Sequence, residues 1–403
     1  MLPGCVSVAV KRLQSRLNWS RQQQMNLSEE QRLIRDSVRA FVQQRVAPFA
    51  ADWDRDSHFP KQQLAEMAEL GLFGMFIPEE WGGSGTDYLS FALAIEEVAA
   101  GDGACSTILS VNNSVVCGVL FASGSDFLKQ TYLKPLASGT QLGCFCLSES
   151  QAGSDAAALK TRAQKQADGY LLNGSKAFIT SGANADVAIV FAVTDPDAGK
   201  KGISAFVVPT DNPGYQVGCV EHKMGQHASD TAQIFFKDCL VPSDHLIGAE
   251  GEGYKIALMN LEGGRIGIAA QSVGMARAAY ECALAYAKDR VSFGKSLLGH
   301  QAVAFRLADM ATQLEAARLM VHNAARLRDA GEPCLKQASM AKLFASEAAE
   351  KICSDAIQVL GGYGYLRDFP VERIARDVRV AQIYEGTSDI QRIVIARELG
   401  NEL

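Results

Sequence analysis

The sequence predicts an α+β protein in three parts: an N-terminal all-α domain, a middle antiparallel β domain and a C-terminal four-helix bundle. Three observations predict it. Apolar residues recur at helical spacing over residues 26–142, strand-like runs bounded by turn residues occupy 143–250, and the helical period returns over 251–403. Residues 1–25 stand outside the fold. They carry Lys11, Arg12, Arg16 and Arg21, with no acid before Glu29. That pattern fits a transit peptide, which implies the mitochondrial matrix, and equally fits codons translated from a start placed upstream of Met25, which implies a bacterial cytoplasm.

The elements follow in order. Ser28 and Gln31 form a capping box, and Leu33, Ile34, Val38, Phe41, Val42 and Val46 recur behind them until Pro48 interrupts. Further helices are expected around 60–70, 86–100, 104–122 and 125–137, broken by a Gly-rich loop at 77–85. In the middle, residues 170–180 read as two strands around an Asn173-Gly174 turn. Residues 187–194, 203–209 and 231–241 are β-branched and aromatic runs separated by turn formers. Four long helices complete the chain, the first opened by Ile256, Leu258 and Leu261 and running to about Val291, the others at about 299–330, 333–360 and 386–399.

Composition bounds the function. The chain has 403 residues, of which 48% are hydrophobic, enough for a core in two or three domains. A net charge of -6 offers no general attraction to nucleic acid. Ten cysteines without a C-x-x-C pair or a disulfide-framework spacing read as buried thiols in a reducing compartment. Six histidines, none paired as H-x-x-x-H or H-E-x-x-H, predict no metal site. No apolar run is expected to reach the length of a membrane span. No strand leads into G-x-G-x-x-G, so a Rossmann site is unsupported, and Gly251-Glu252-Gly253 reads as a flexible helix entrance.

One carboxylate stands out. Glu385 follows Val378, Ala381 and Ile383 and precedes Gly386, Thr387 and Ser388, so it ends an apolar segment and opens a turn. Desolvation there would raise its pKa and make it a base near neutral pH. The same residue also reads as an acid at the N-terminus of the last helix. Gln358 to Gly364 reads either as a glycine C-cap or as backbone open to a ligand, and Arg290 and Phe293 put a guanidinium and a ring at another helix end.

In domain order and in motifs, residues 26–403 resemble the acyl-CoA dehydrogenase family. The run Cys144-Phe145-Cys146-Leu147-Ser148-Glu149-Ser150-Gln151-Ala152-Gly153-Ser154-Asp155 looks like its first signature, and Gln358 to Gly364 with Tyr384 to Gln391 looks like its second. Ser110 to Ser114 and Gly264 to Ala269 look most like the short-chain, butyryl-CoA branch. The resemblance implies FAD-dependent α,β-dehydrogenation of a short straight or branched acyl-CoA to the trans-2-enoyl-CoA, in fatty acid β-oxidation or amino-acid catabolism. Glu385 would take the α proton while the β hydrogen leaves as hydride to flavin N5. It further implies a homotetramer and an electron-transfer flavoprotein as acceptor.

The resemblance also implies site residues. Phe145, Leu147, Ser148, Gly153, Ser154, Phe178, Ile179 and Thr180 match positions against the isoalloxazine ring. Arg290, Phe293, Gln301, Gln358, Gly361 and Gly362 match positions reaching the FAD of a neighbouring subunit, the arginine facing pyrophosphate. Thr387, Ser388 and Asp389 match cofactor contacts at a helix N-terminus. Ser154, Glu262, Gly263, Gly264, Arg265 and Gly386 match contacts to the CoA thioester. In parts of the family the base precedes the arginine of the long helix, which here is Gly264 before Arg265, and glycine takes no proton. Departures lie at His227, where many relatives carry arginine, at Phe178, where many carry tryptophan, and at Ser150-Gln151 in place of Pro-Gly. Two alternatives stay open: an acyl-CoA oxidase passing electrons to oxygen, although oxidases are generally longer, and a flavin-binding interaction protein, although Glu398 to Leu403 is acidic rather than basic.

Overall fold

The computed structural model describes residues 27–400, and the transit-peptide reading of 1–25 lies outside them. Among the described residues the first part holds the helices α1 (Glu29–Arg45), α2 (Ala50–Asp56), α3 (Lys61–Glu69), α4 (Tyr88–Gly101), α5 (Gly103–Ser123) and α6 (126–137), with one 3-10 turn at Glu79–Trp81. Local chemistry starts them. The Ser28 hydroxyl accepts from the Gln31 N–H while the Gln31 amide oxygen accepts from the Ser28 N–H. Asp87 and Asp102 likewise accept from the N–H groups of Ser90 and Cys105 to open α4 and α5.

At 21 residues, α5 is as long and apolar as a membrane span, contrary to the expectation that no run reaches that length. It is a core helix, apolar all round because protein surrounds it. A π-helical stretch at Asn112–Cys117 lets two buried asparagines reach outward. Asn112 donates to the carbonyls of Phe73 and Leu136, and Asn113 accepts from the Met75 N–H at 2.8 Å.

The strands of the main sheet are β1 (Gly143–Cys146), β2 (Arg162–Lys165), β3 (Gly169–Thr180), β4 (Val187–Val193), β5 (Ile203–Pro209), β6 (Tyr215–Val220), β7 (Thr231–Pro242) and β8 (Leu246–Ile247). They pair in the order β6-β7-β3-β2-β4-β5-β8, with β1 added to β4. All contacts are antiparallel except those of β4 with β1 and β2.

The expected Asn173-Gly174 hairpin does not form. Residues 169–180 are one strand, and the pair sits opposite a bulge in β7. Asn173 is held there by Asp238, whose N–H donates to the Asn173 amide oxygen at 2.9 Å and whose carboxylate accepts from its amide at 3.2 Å. Gly174 is required for another reason: a Cβ there would lie 2.6 Å from the Thr161 Cα. Close backbone approach explains the glycine, and no turn is needed.

The C-terminal helices are α7 (Gly253–Asp289), α8 (Gln301–Asp329), α9 (Leu335–Leu360), a short α10 (Val371–Val378) that was not expected, and α11 (Ser388–Gly400). The entrance of α7 is packed tightly, since a Cβ on Gly253 would lie 2.5 Å from the Ser204 carbonyl carbon of β5. Helices α7, α8 and α9 pack on one another, and α10 and α11 lie against α9. One core draws apolar residues both from 27–109 and from 266–378. A second joins α5 and α6 to one face of the sheet, and a third fills its other face.

Candidate active site

The site gathers where the link between α10 and α11 crosses α7 and α9. Tyr384 anchors the link, its hydroxyl donating to the Gln271 amide oxygen on α7. The Gln271 amide in turn donates to the Gly103 carbonyl and the Ser106 hydroxyl of α5, both at 2.8 Å. Thr107 carries the network on to Gln226 of the β6–β7 loop at 2.7 Å. The chain then turns through two left-handed residues, Glu385 at φ 51° and Gly386 at φ 92°. A residue with a Cβ pays about 1–2 kcal/mol for that conformation, so the surroundings must hold it. They do so through the carbonyls: Gly386 accepts from Lys342 Nζ at 2.7 Å and from Gln391 at 2.9 Å, and Glu385 accepts from Gln391 at 3.3 Å. Among the described residues no acceptor takes the Glu385 N–H.

The Glu385 side chain enters the space left by Gly264. A Cβ on that glycine would lie 2.1 Å from Oε2 of the carboxylate. Glu385 as a residue is half-buried, yet both of its carboxylate oxygens are out of reach of solvent and have no hydrogen-bond partner. Loss of hydration pushes its pKa up to about 7, against the opposing charges of Lys342 and Arg265. Burial lowers both cations, Lys342 to about 8. Arg265 is 5% exposed, and its Nε and Nη1 are unpaired. Glu262 faces elsewhere, bonded to Arg328 and to the Cys334 thiol, each at 3.1 Å. Gly263 is pressed by Tyr88, whose hydroxyl would lie 2.8 Å from an added Cβ.

A buried ion pair shapes the loop after β1. Lys176 Nζ donates to Glu149 at 2.8 Å and to the Leu147 carbonyl at 3.1 Å, and the Glu149 carboxylate also accepts from the N–H groups of Lys160 and Thr161. The Ser148 carbonyl accepts from the Ala177 N–H, which brings residues 147–149 beside 176–178. Phe178 is not strand core: it sits at φ 60° in a break of the β3–β7 ladder and is 66% exposed. Leu147 and Ile179 turn their side chains into the core and offer only backbone outward, and Phe145 packs edge-on to Phe191. Ser148 and Thr180 are half-buried, Gly153 and Ser154 exposed.

A second surface lies at the far end of α7. Arg290, Tyr286, Ser292, Gly361, Gly362 and Tyr363 line a cavity of about 480 Å³. The Arg290 guanidinium lies 5.8 Å from the centroid of the Tyr363 ring, and among the described residues no carboxylate is paired with it. Phe293 beside it is 96% exposed at φ 51°. Gln301, at the start of α8, and Gln358, near the end of α9, are exposed. Thr387 precedes α11 and its hydroxyl accepts from the Ile390 N–H, Ser388 Oγ is buried without a partner, and Asp389 points to solvent.

These features suit a flat cofactor with an anionic tail. Exposed aromatic faces at Phe178 and Phe293 lose water favourably when a ring system covers them. An unpaired guanidinium in a cavity and an orphaned hydroxyl at a helix start suit a diphosphate. Sequence reading missed Lys342, Gln271 and Gln391. Lys342 had a signal: it falls on the buried stripe Ala338, Ala341, Ala345 and Ala349 of α9, where a lone lysine is anomalous. His227, where the chain departs from many relatives, faces Asp54 at 2.9 Å and the Lys223 carbonyl at 2.7 Å, so it ties the β6–β7 loop to α2.

Family models described as the acyl-CoA dehydrogenase N-terminal, middle and C-terminal domains match residues 28–140, 144–239 and 251–400. An acyl-CoA dehydrogenase of Bacillus subtilis is 48% identical over 375 residues, 93% of this chain and 99% of the relative. The human mitochondrial short-chain specific acyl-CoA dehydrogenase is 47% identical over 377 residues, 94% of this chain and 92% of its own. The solved butyryl-CoA dehydrogenase of Megasphaera elsdenii shares the fold with a TM-score of 0.92 at 42% identity, covering 93% of this chain and 99% of that one.

Proposed function

The chain belongs to the acyl-CoA dehydrogenase family, and on that premise we propose that it oxidises short-chain acyl-CoA thioesters, straight or branched, to trans-2-enoyl thioesters, with Glu385 as the base. One observation carries the choice of base: a carboxylate with both oxygens buried and unpartnered, raised to about 7, in the hollow at Gly264. Such a group is half ionised near neutral pH and has no internal bond to break before it takes an α proton. The free Glu385 N–H offers a donor to the thioester oxygen as negative charge develops there.

FAD is the cofactor of this family and, when bound, supplies the acceptor for the hydride that leaves the β carbon. Residues 147–154 and 178–180 would hold its ring, Thr387 and Ser388 its polar chain, and Arg290, Gln301, Gln358, Gly361 and Gly362 the diphosphate end from a neighbouring copy. That last set is exposed in the single chain, which supports association with further copies, proposed here as a homotetramer. Arg265, Gly386 and Ser154 would contact the substrate. Electron-transfer flavoprotein is the proposed acceptor.

Anaerobic bleaching of the yellow protein by acyl-CoA thioesters from butyryl to hexadecanoyl tests the substrate class. The expected result is the highest kcat/KM around butyryl, and a higher value for hexadecanoyl-CoA removes the short-chain assignment. Reoxidation in air with product bound separates the two activities: it is slow for a dehydrogenase and rapid for an oxidase.

A further inference from the structure

Two cations face one carboxylate at this site, and one of them is attached to the turn that carries the carboxylate. Lys342 is fully buried on α9. Its ammonium donates to the Gly386 carbonyl at 2.7 Å, one residue beyond Glu385. Among the described residues it has no carboxylate hydrogen-bonded to it, which is unusual for a buried lysine. A neutral donor such as the neighbouring Gln391 already serves the same carbonyl at 2.9 Å. Retaining a buried charge for that bond alone is unfavourable, so the charge itself needs a use.

We infer that Lys342 is a positioning residue for Glu385: it clamps the left-handed Glu385-Gly386 turn from α9 and sets a positive charge beside the base. This rests on the reading of Glu385 as the base. The charges around the pair are few. Glu385 feels the charges of Lys342 and Arg265 and adjoins the Tyr384 phenol, which burial keeps neutral; Lys342 feels Glu385, Arg265 and, more weakly, Glu347; Arg265 feels Glu262, Glu385 and Arg397. With Glu385 ionised, the three central groups carry one net positive charge, and once Glu385 has taken the α proton the two cations remain to favour the enolate. Without the ammonium, burial would act on Glu385 with only Arg265 opposing it, and the carboxyl would stay protonated to higher pH.

The test is the pH dependence of flavin bleaching by butyryl-CoA under anaerobic conditions, in Lys342→Met and Lys342→Gln of the FAD-loaded protein, with Glu385→Gln as control. Lys342→Met removes donor and charge, whereas Lys342→Gln keeps a donor and removes only the charge. In both, the midpoint of the bleaching rate should rise by about one pH unit or more, with roughly a tenfold loss at neutral pH that narrows as pH increases. A loss that is the same at every pH, or an unchanged profile, overturns the proposal. So does failure of both variants to hold FAD, which would assign Lys342 to the fold alone. The control keeps the two readings apart: normal bleaching in Glu385→Gln removes Glu385 as base, whereas a dead Glu385→Gln with an unshifted Lys342→Met removes only the role of Lys342.

Discussion

An added methyl on Gly264 would lie 2.1 Å from Oε2 of Glu385, so the absent side chain on α7 is the space that the carboxylate from the α10–α11 link occupies. Gly264→Ala should therefore displace the carboxylate while leaving α7 helical, because alanine is the better helix former. The expected outcome is a fall in turnover of about 10²-fold with FAD retained, as for a misplaced reacting group. Stopped-flow bleaching measures it, and a normal rate would mean that Glu385 works from another position.

Removing the proton acceptor without changing its shape is the direct trial of the base. Glu385→Gln should keep the yellow colour and bind acyl-CoA, yet lose about 10²-fold to 10⁴-fold in turnover. Titration with acyl-CoA followed by its charge-transfer band checks binding independently of rate.

The same contact predicts that the base can be moved. In Glu385→Gly with Gly264→Glu, the new side chain would start from α7 and point into the volume that Glu385 vacates. Partial recovery of turnover over Glu385→Gln is expected in the bleaching assay. A failed rescue with FAD bound would bear on geometry around Gly264 rather than on Glu385.

Stability should depend on pH through the same group. The Glu385 pKa is raised from 4.5 to about 7 by burial. The folded state thus holds a proton that the unfolded state releases, and the associated stability is complete below about 4.5 and is lost as pH rises through about 7. The difference is on the order of 3 kcal/mol for a carboxylate whose oxygens are both buried. Melting of the substrate-free, FAD-loaded protein at pH 5 and pH 8 should show Glu385→Gln gaining on the parent at the higher pH. Parallel melting at both pH values would mean that the folded carboxyl titrates near its ordinary value.

Arg290→Ala should weaken FAD retention by roughly 10-fold to 100-fold, the loss of charge-assisted bonds worth about 1.5–3 kcal/mol. The side chain is exposed and makes no ion pair among the described residues, so the fold of the single chain should not change. Equilibrium dialysis of the flavin reports the affinity, and circular dichroism reports the fold.

The order helix, strand, helix was readable because side-chain period is a local property: a buried face repeats every 3.6 residues on a helix and every two on a strand. The Ser28–Gln31 cap was readable for the same reason, since donor and acceptor lie three residues apart. Glu385 stood out because an apolar run and a glycine flank it in sequence. Other features had their cause elsewhere in the chain. Asn173-Gly174 has strong turn chemistry, but Asp238 across the ladder and Thr161, just before β2, hold it extended. The apolar length of α5 suits a bilayer as well as a protein interior, and only its surrounding helices and sheet make it core. Residues 27–109 and 266–378 share one hydrophobic core although the sheet interrupts them in sequence. The site itself is of this second kind: the acidity of Glu385 depends on burial against Gly264, 121 positions away, and on Lys342, 43 positions away, because desolvation and Coulomb forces act through space, not along the chain.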